Sequence, residues 1–218
     1  MQDFSTLPAP AALPAFRSRV VPVVVVQDPA QAVPMARALL EGGVDVIEIT
    51  LRSDAALAAI AAVAREVPEM MVGAGTVTRA SEVADVVAAG ARFALSPGCT
   101  PALIAAVRAA GLPFIPGVAT PGEAMAARDA GYTLMKCFPA AQLGGVEVLK
   151  AWGGPLPDLR FCPTGGVSLA NMAQFLALPN VAMVGGSWLT PAAAVAAGDW
   201  AQITRLAREA TEAVRAIV

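Results

Sequence analysis

The 218 residues carry 15 Lys plus Arg against 17 Asp plus Glu, a formal net charge of −2, and include no histidine. Without a basic run there is no electrostatic footprint for nucleic acid. The missing histidine removes the usual general base, the usual metal ligand and the Ser-His-Asp triad together, so any chemistry must run on Lys, Glu, Asp, Tyr or Cys.

In chain order, the first segment, "MQDFSTLPAPAALPAF", has an acidic residue at Asp3 and three prolines, and it does not read as a secretion signal. The stretch "PAALPAFRSR" before residue 19 is expected to form an N-terminal helix closing the bottom of the fold. Eight short β-branched or apolar runs follow: "VVPVVVV" (20–26), "DVIEITL" (45–51), "MMVGAGT" (70–76), "RFALSPG" (92–98), "FIPGVAT" (114–120), "TLMKCFP" (133–139), "RFCPTGG" (160–166) and "VAMVGGS" (181–187). Between them lie Ala-rich segments with helical spacing, among them "QAVPMARALLEGG", "AALAAIAAVAREV", "ASEVADVVAAG", "TPALIAAVRAAG" and "TPGEAMAARDAG", several ending in a glycine suited to a C-cap. A last helix is expected near residues 199 to 217.

Strand then helix, repeated eight times, predicts an α/β chain whose parallel strands close into a single-domain (β/α)8 TIM barrel over residues 1–218, with residues 1–19 as a helical extension. A doubly wound open sheet is the alternative. Against it, no Gly-x-Gly-x-x-Gly follows the first strand. Apolar runs are broken by charged residues, Gln or Pro well before the about 20 residues that span a bilayer, and the chain is expected in the cytoplasm. Hydrophobic residues make up 56% of it, an excess that fits buried subunit surface. The three cysteines are odd in number and show no Cys-x-x-Cys spacing, which indicates neither a disulfide framework nor a zinc site.

In such barrels the site lies at the C-terminal ends of the strands. Those ends present Glu48 and Arg52, Thr76, Pro97, Lys136 with Phe138, Thr164 with Gly165 and Gly166, and Gly185, Gly186 and Ser187. The chain has only two lysines, Lys136 and Lys150, and the first interrupts an apolar strand. Burial disfavours an ammonium, and the neutral amine is a nucleophile that attacks a carbonyl to form a Schiff base. The plainer reading is an ion-paired lysine that holds loops together. Alternation along "DVIEITLRS" sets Val46, Glu48 and Thr50 opposite Ile47, Ile49 and Leu51, so Glu48 projects inward, where Lys136 is its obvious partner. That pair is either a structural salt bridge or a nucleophile with its proton shuttle.

Arg52 lies where a guanidinium could grip a carboxylate in two-pronged fashion, or be a solvated surface residue. In "GAGT" (73–76) the glycines either let the backbone approach a ligand or allow tight packing, and Thr76 supplies a hydroxyl. The pairs in "PTGGV" and "VGGS" end the last two strands, where loops of this fold usually bind phosphate, with Ser187 adding a donor. Cys137 and Cys162 are expected to be core residues, and nothing near Cys99 would activate it.

The runs "VVPVVVV", "IEITLRS", "VGAGTV", "ALSPG", "FIPGVATPGE", "KCFPA", "RFCPTGGV" and "GGSWL" resemble, in order and over about residues 20 to 210, the family of 2-dehydro-3-deoxy-6-phosphogluconate (KDPG) and 4-hydroxy-2-oxoglutarate aldolases. The resemblance implies a Schiff base on Lys136, proton shuttling by Glu48, and substrate carboxylate binding by Arg52 and Thr76. It further implies phosphate binding by Thr164, Gly165, Gly166, Gly186 and Ser187, and a pocket lined by Pro97 and Phe138. A homotrimer without metal or other cofactor is implied as well, with pyruvate and a phosphorylated 2-keto-3-deoxy sugar acid as its partners and no nucleic acid or membrane. The family often has an aromatic residue where this chain has Cys137. Two other functions keep parts of this pattern: an aldolase for the C4 epimer, 2-dehydro-3-deoxy-6-phosphogalactonate, and a phosphosugar-binding barrel without turnover.

Overall fold

The computed structural model describes residue 4 and residues 6–217. All eight apolar runs form strands: β1 (Val20–Val24), β2 (Val46–Thr50), β3 (Met71–Gly75), β4 (Phe93–Leu95), the pair β5 (Phe114–Ile115) and β6 (Gly117–Val118), β7 (Leu134–Cys137), β8 (Arg160–Pro163) and β9 (Val184–Gly186). The fifth run is split at Pro116, which has no N–H to give to a ladder. Its carbonyl still accepts from the backbone of Lys136 (2.8 Å), and the following Gly117 N–H donates to the buried Ser96 hydroxyl (3.1 Å).

Helices alternate with the strands: α1 (Ala32–Glu41), α2 (Ala56–Glu66), α3 (Val83–Ala88), α4 (Pro101–Ala109), α5 (Pro121–Asp129), α6 (Gly145–Gly153), α7 (Met172–Leu176), α8 (Ala192–Ala197) and α9 (Trp200–Arg215). Their starts follow local chemistry. Thr100 caps α4 through the Leu103 N–H, and Thr120 and Glu123 form a reciprocal capping box on α5, with a proline at the first helical position of each.

Every strand pairing is parallel, in the orders β5-β4-β3-β2-β1-β9 and β6-β7-β8. Isolated bridges Phe161–Val181 and Thr164–Gly185 link the β8 end of the second group to the β9 end of the first. The fold is α/β with a curled parallel sheet. Curling is required by one contact alone, since Lys136 on β7 reaches Glu48 on β2 across the concave side. Alternate residues divide two apolar layers. Val21, Val46, Phe93, Leu95 and Ile115 pack on the concave face, whereas Met35, Leu39, Ile47, Ile49 and Ile60 fill the layer between strands and helices.

The expected N-terminal helix is not formed. Among the described residues before Val20 no helix occurs, because Pro8, Pro10 and Pro14 each remove a backbone donor and push the preceding residue out of the helical region. The segment closes the bottom all the same, as an extended plug. Leu13 and Phe16 pack against the concave cluster, with Phe16 stacked on Phe93 at 6.0 Å. Asp45, just before β2, accepts from the backbone N–H groups of Arg17 and Ser18 and from the Ser18 hydroxyl (2.7 Å). Burial pulls the Asp45 carboxyl upward, but the hydrogen bonds from Ser18 and Arg17 outweigh it and hold the carboxyl below its ordinary value of 3.8. Among the described residues no helix is long and apolar enough to cross a membrane.

Candidate active site

Alternation along β2 runs as the sequence predicts. Ile47 and Ile49 enter the outer layer, Val46 joins the concave cluster, and Glu48 stands one step above it with 0% of its surface exposed. Lys136, the third residue of β7, is 4% exposed and donates from Nζ to Glu48 Oε1 at 2.7 Å. The other carboxylate oxygen, Oε2, is buried and has no hydrogen-bond partner among the described residues. Two charges withdrawn from water make a poor stabilising device, and a carboxylate with one oxygen left over can accept a second proton donor.

The space for this pair comes from a glycine. A Cβ on Gly75 would lie 2.1 Å from Glu48 Oε1 and 2.6 Å from Cδ, and one on Gly73 would lie 2.4 Å from the Phe93 ring. Of the two readings of "GAGT", the packing reading describes both glycines. They admit a carboxylate and an aromatic ring from neighbouring strands. Thr76, directly after β3, has φ of 59°, a left-handed backbone that is rare for a β-branched residue and that clusters at functional sites.

Around the pair, Phe138 sets its ring 5.7 Å from Lys136 Nζ, a cation–π distance. Cys162 is level with Lys136 on β8 and buried, while Cys137 points to the outer layer. Burial pushes both thiols up to about 12, and Cys99 likewise. None is a nucleophile near neutral pH.

Thr164 is buried at the end of β8, and its hydroxyl donates to the Cys162 carbonyl at 3.4 Å. Gly165 and Gly166 continue with φ of 94° and 77°, where any other residue would be strained. The second glycine pair has a different origin. Gly185 leaves room for the Thr164 hydroxyl, 2.3 Å from where its Cβ would be, and Gly186 for the Trp188 indole. Ser187 follows, exposed, and with Arg52 it lines a cavity of about 430 Å³. Pro97 is half-buried after β4, and its backbone approaches Gly117 too closely for a side chain there. Glu48, Lys136 and Phe138 are thus in contact. Arg52, Thr76, Pro97 and Ser187 stand on surrounding strand ends, and none of them hydrogen-bonds the pair among the described residues.

One member of the site escapes sequence reading. Arg52 Nε donates to the Thr50 hydroxyl (3.2 Å), which itself donates to the Val24 carbonyl on β1 (2.9 Å). Thr50 therefore holds the guanidinium by its inner edge and leaves the outer N–H groups for a ligand. Its spacing of two residues from Arg52 was the available signal, since that places both on one face of the strand.

A buried amine held against a buried carboxylate, at the C-terminal ends of curled parallel strands, is the site of a lyase of the Schiff-base, class I aldolase type. Residues 15–206 match the family described as KDPG and KHG aldolase, and the chain belongs to that family. It is 54% identical over 191 residues to a 2-dehydro-3-deoxy-phosphogluconate aldolase of Pseudoalteromonas atlantica, covering 88% of this chain and 89% of that protein. To the KHG/KDPG aldolase of Escherichia coli K12 it is 52% identical over 196 residues, 90% of this chain and 92% of the relative. Among solved structures, it superposes with a TM-score of 0.86 on a KDPG aldolase from Legionella pneumophila, holding pyruvate captured at low pH as a covalent carbinolamine intermediate. That protein is 46% identical, and the match covers 88% of this chain and 93% of the other.

Proposed function

We propose that the chain cleaves 2-dehydro-3-deoxy-6-phosphogluconate to pyruvate and glyceraldehyde 3-phosphate, and 4-hydroxy-2-oxoglutarate to pyruvate and glyoxylate, through an imine on Lys136. The observation that carries this reading is the buried 2.7 Å contact between Lys136 Nζ and Glu48 Oε1, with Oε2 unpaired beside it. Transfer of one proton along that contact leaves a neutral amine and a carboxylic acid, the two species needed to start.

Nζ adds to the C2 ketone, giving a carbinolamine. Glu48 returns its proton to the carbinolamine oxygen and water leaves, producing a protonated imine. A base removes the C4 hydroxyl proton, the C3–C4 electron pair flows into the iminium, and the aldehyde departs. Protonation of the resulting enamine at C3, and hydrolysis, release pyruvate and restore the lysine. The iminium is the electron sink, so the reaction runs without a metal or other cofactor.

Arg52, with its guanidinium steadied by Thr50, and Thr76 would hold the pyruvyl carboxylate. Thr164, Gly165, Gly166, Gly186 and Ser187 would take the phosphate through backbone N–H groups and hydroxyls, while Pro97 and Phe138 wall the pocket. The surrounding scaffold is one (β/α)8 barrel domain, a reading supported by the two bridges between β8 and the β9 segment and by the shared fifth strand on either side of Pro116. Exposed Leu57, Val87, Met125 and Leu169 and the apolar composition support a homotrimer, and the three free cysteines support a reducing compartment, the cytoplasm.

The test is to incubate the protein with pyruvate, reduce with borohydride and map the adduct by peptide mass. A pyruvyl group on Lys136, absent in Lys136→Ala together with all cleavage, is expected. An unmodified Lys136 in protein that still cleaves the substrate would overturn the mechanism.

A further inference from the structure

We propose that Gln27 is a specificity residue for the aldehyde half of the substrate, a role that rests on the aldolase reading above. β1 lies between β2 and β9. Val23 is level with Glu48 on one side, and, one step beyond the Pro22–Gly186 pair, with Ser187 on the other. Side chains rising from the end of β1 on its concave face therefore stand between the groups assigned to the two ends of the substrate, Arg52 after β2 and Ser187 after β9.

Those side chains are Val23, Val25 and Gln27, which line one cavity of about 430 Å³ with Arg52 and Ser187. The intervening Val24 and Val26 are buried in the outer layer. The concave edge of β1 is thus apolar from the level of Glu48 upward and carries a polar group only at the rim. The other amide lining the cavity is committed, since Gln31 donates to the Val195 carbonyl at 3.4 Å. Gln27 is exposed, and its amide has no hydrogen-bond partner among the described residues.

A neutral amide with free donors and a free acceptor suits a hydroxyl next to a phosphate, because it can donate to the phosphoryl oxygen or exchange hydrogen bonds with the hydroxyl without adding charge. A two-carbon aldehyde half, whose carboxylate is attached directly to the aldehyde carbon, is too short to extend to the rim. Gln27 accordingly selects the long phosphorylated substrate and leaves 4-hydroxy-2-oxoglutarate unaffected.

The experiment compares Gln27→Ala and Gln27→Glu with the parent on both substrates, with borohydride trapping of pyruvate run in parallel. Gln27→Ala is expected to lose about tenfold in kcat/KM on the phosphorylated substrate, the effect of one hydrogen bond to a charged group, mostly in KM. Gln27→Glu, which sets like charges together, should lose more. Both variants should keep 4-hydroxy-2-oxoglutarate cleavage within about twofold and trap pyruvate as the parent does. Equal activity of all three proteins on the phosphorylated substrate overturns the proposal, and so does an equal loss on both substrates. A parent protein that traps no pyruvate overturns the aldolase reading, an outcome separate from variants that trap normally and show no selectivity change.

Discussion

Replacing Gly75 by alanine drives a methyl carbon into the catalytic carboxylate. The new Cβ would lie 2.1 Å from Glu48 Oε1, 2.4 Å from Cγ and 2.6 Å from Cδ, so the carboxylate must retreat by roughly 1 Å to reach ordinary contact. It cannot leave for solvent, being wholly buried, and any retreat stretches the 2.7 Å contact with Lys136. Overpacking costs about 1–3 kcal/mol, which for a chain of this size lowers Tm by roughly 2–12 °C. Misplacing a proton shuttle by about 1 Å costs on the order of a hundredfold in rate. The Gly73→Ala variant provides the contrast, because its methyl meets the Phe93 ring rather than the carboxylate, and Gly98→Ala, with nothing within 4 Å, provides the control. Pyruvate release measured by a coupled assay, together with thermal melts, separates them. Gly75→Ala should lose kcat out of proportion to stability, Gly73→Ala chiefly stability, and Gly98→Ala neither. A Gly75→Ala protein with the parent's kcat would refute the view that this glycine exists to seat Glu48.

Thr50→Val removes the acceptor for Arg52 Nε while keeping the shape of the side chain. KM for pyruvate in the synthetic direction should rise several-fold, about 1 kcal/mol for one hydrogen bond, with kcat nearly unchanged; a fall in kcat alone would contradict the positioning role. Asp45 makes a prediction about acid stability. Its folded carboxyl titrates below the ordinary 3.8, so the stabilisation it supplies is complete above the unfolded value and is lost as pH falls through the folded one. Asp45→Asn should flatten the dependence of Tm on pH on the acid side of about 4, and an unchanged slope there would count against the clasp on Arg17 and Ser18. With all three thiols pushed up to about 12 by burial, iodoacetamide at mildly alkaline pH should leave native activity intact. Rapid labelling of Cys162 with loss of activity would show the concave face to be open to reagents.

Much of the chain could be read residue by residue. Short β-branched runs punctuated by glycine and proline placed all eight strands, and Ala-rich segments with helical spacing ending in glycine marked helices between them, because each depends on contacts within a few residues. Alternation alone put Glu48 on the concave side. The N-terminal segment went astray for a reason visible in the sequence: its prolines argue against a helix, yet its apolar residues, Leu13 and Phe16, are needed under the strands, and an extended plug serves both. Pro116 likewise divides a strand that reads as continuous.

The sequence by itself determined the chemistry available: no histidine, two lysines, and one of them inside a strand. Only the tertiary structure decided that Lys136 meets Glu48 across 88 positions of chain at 2.7 Å, that Gly75 is the slot for that carboxylate, and that Thr50 steadies Arg52. The physical reason is curvature. Strand and cap signals are local energies, whereas the distance between β2 and β7 across the concave face comes from the twist accumulated over every intervening strand pair, which no single segment encodes.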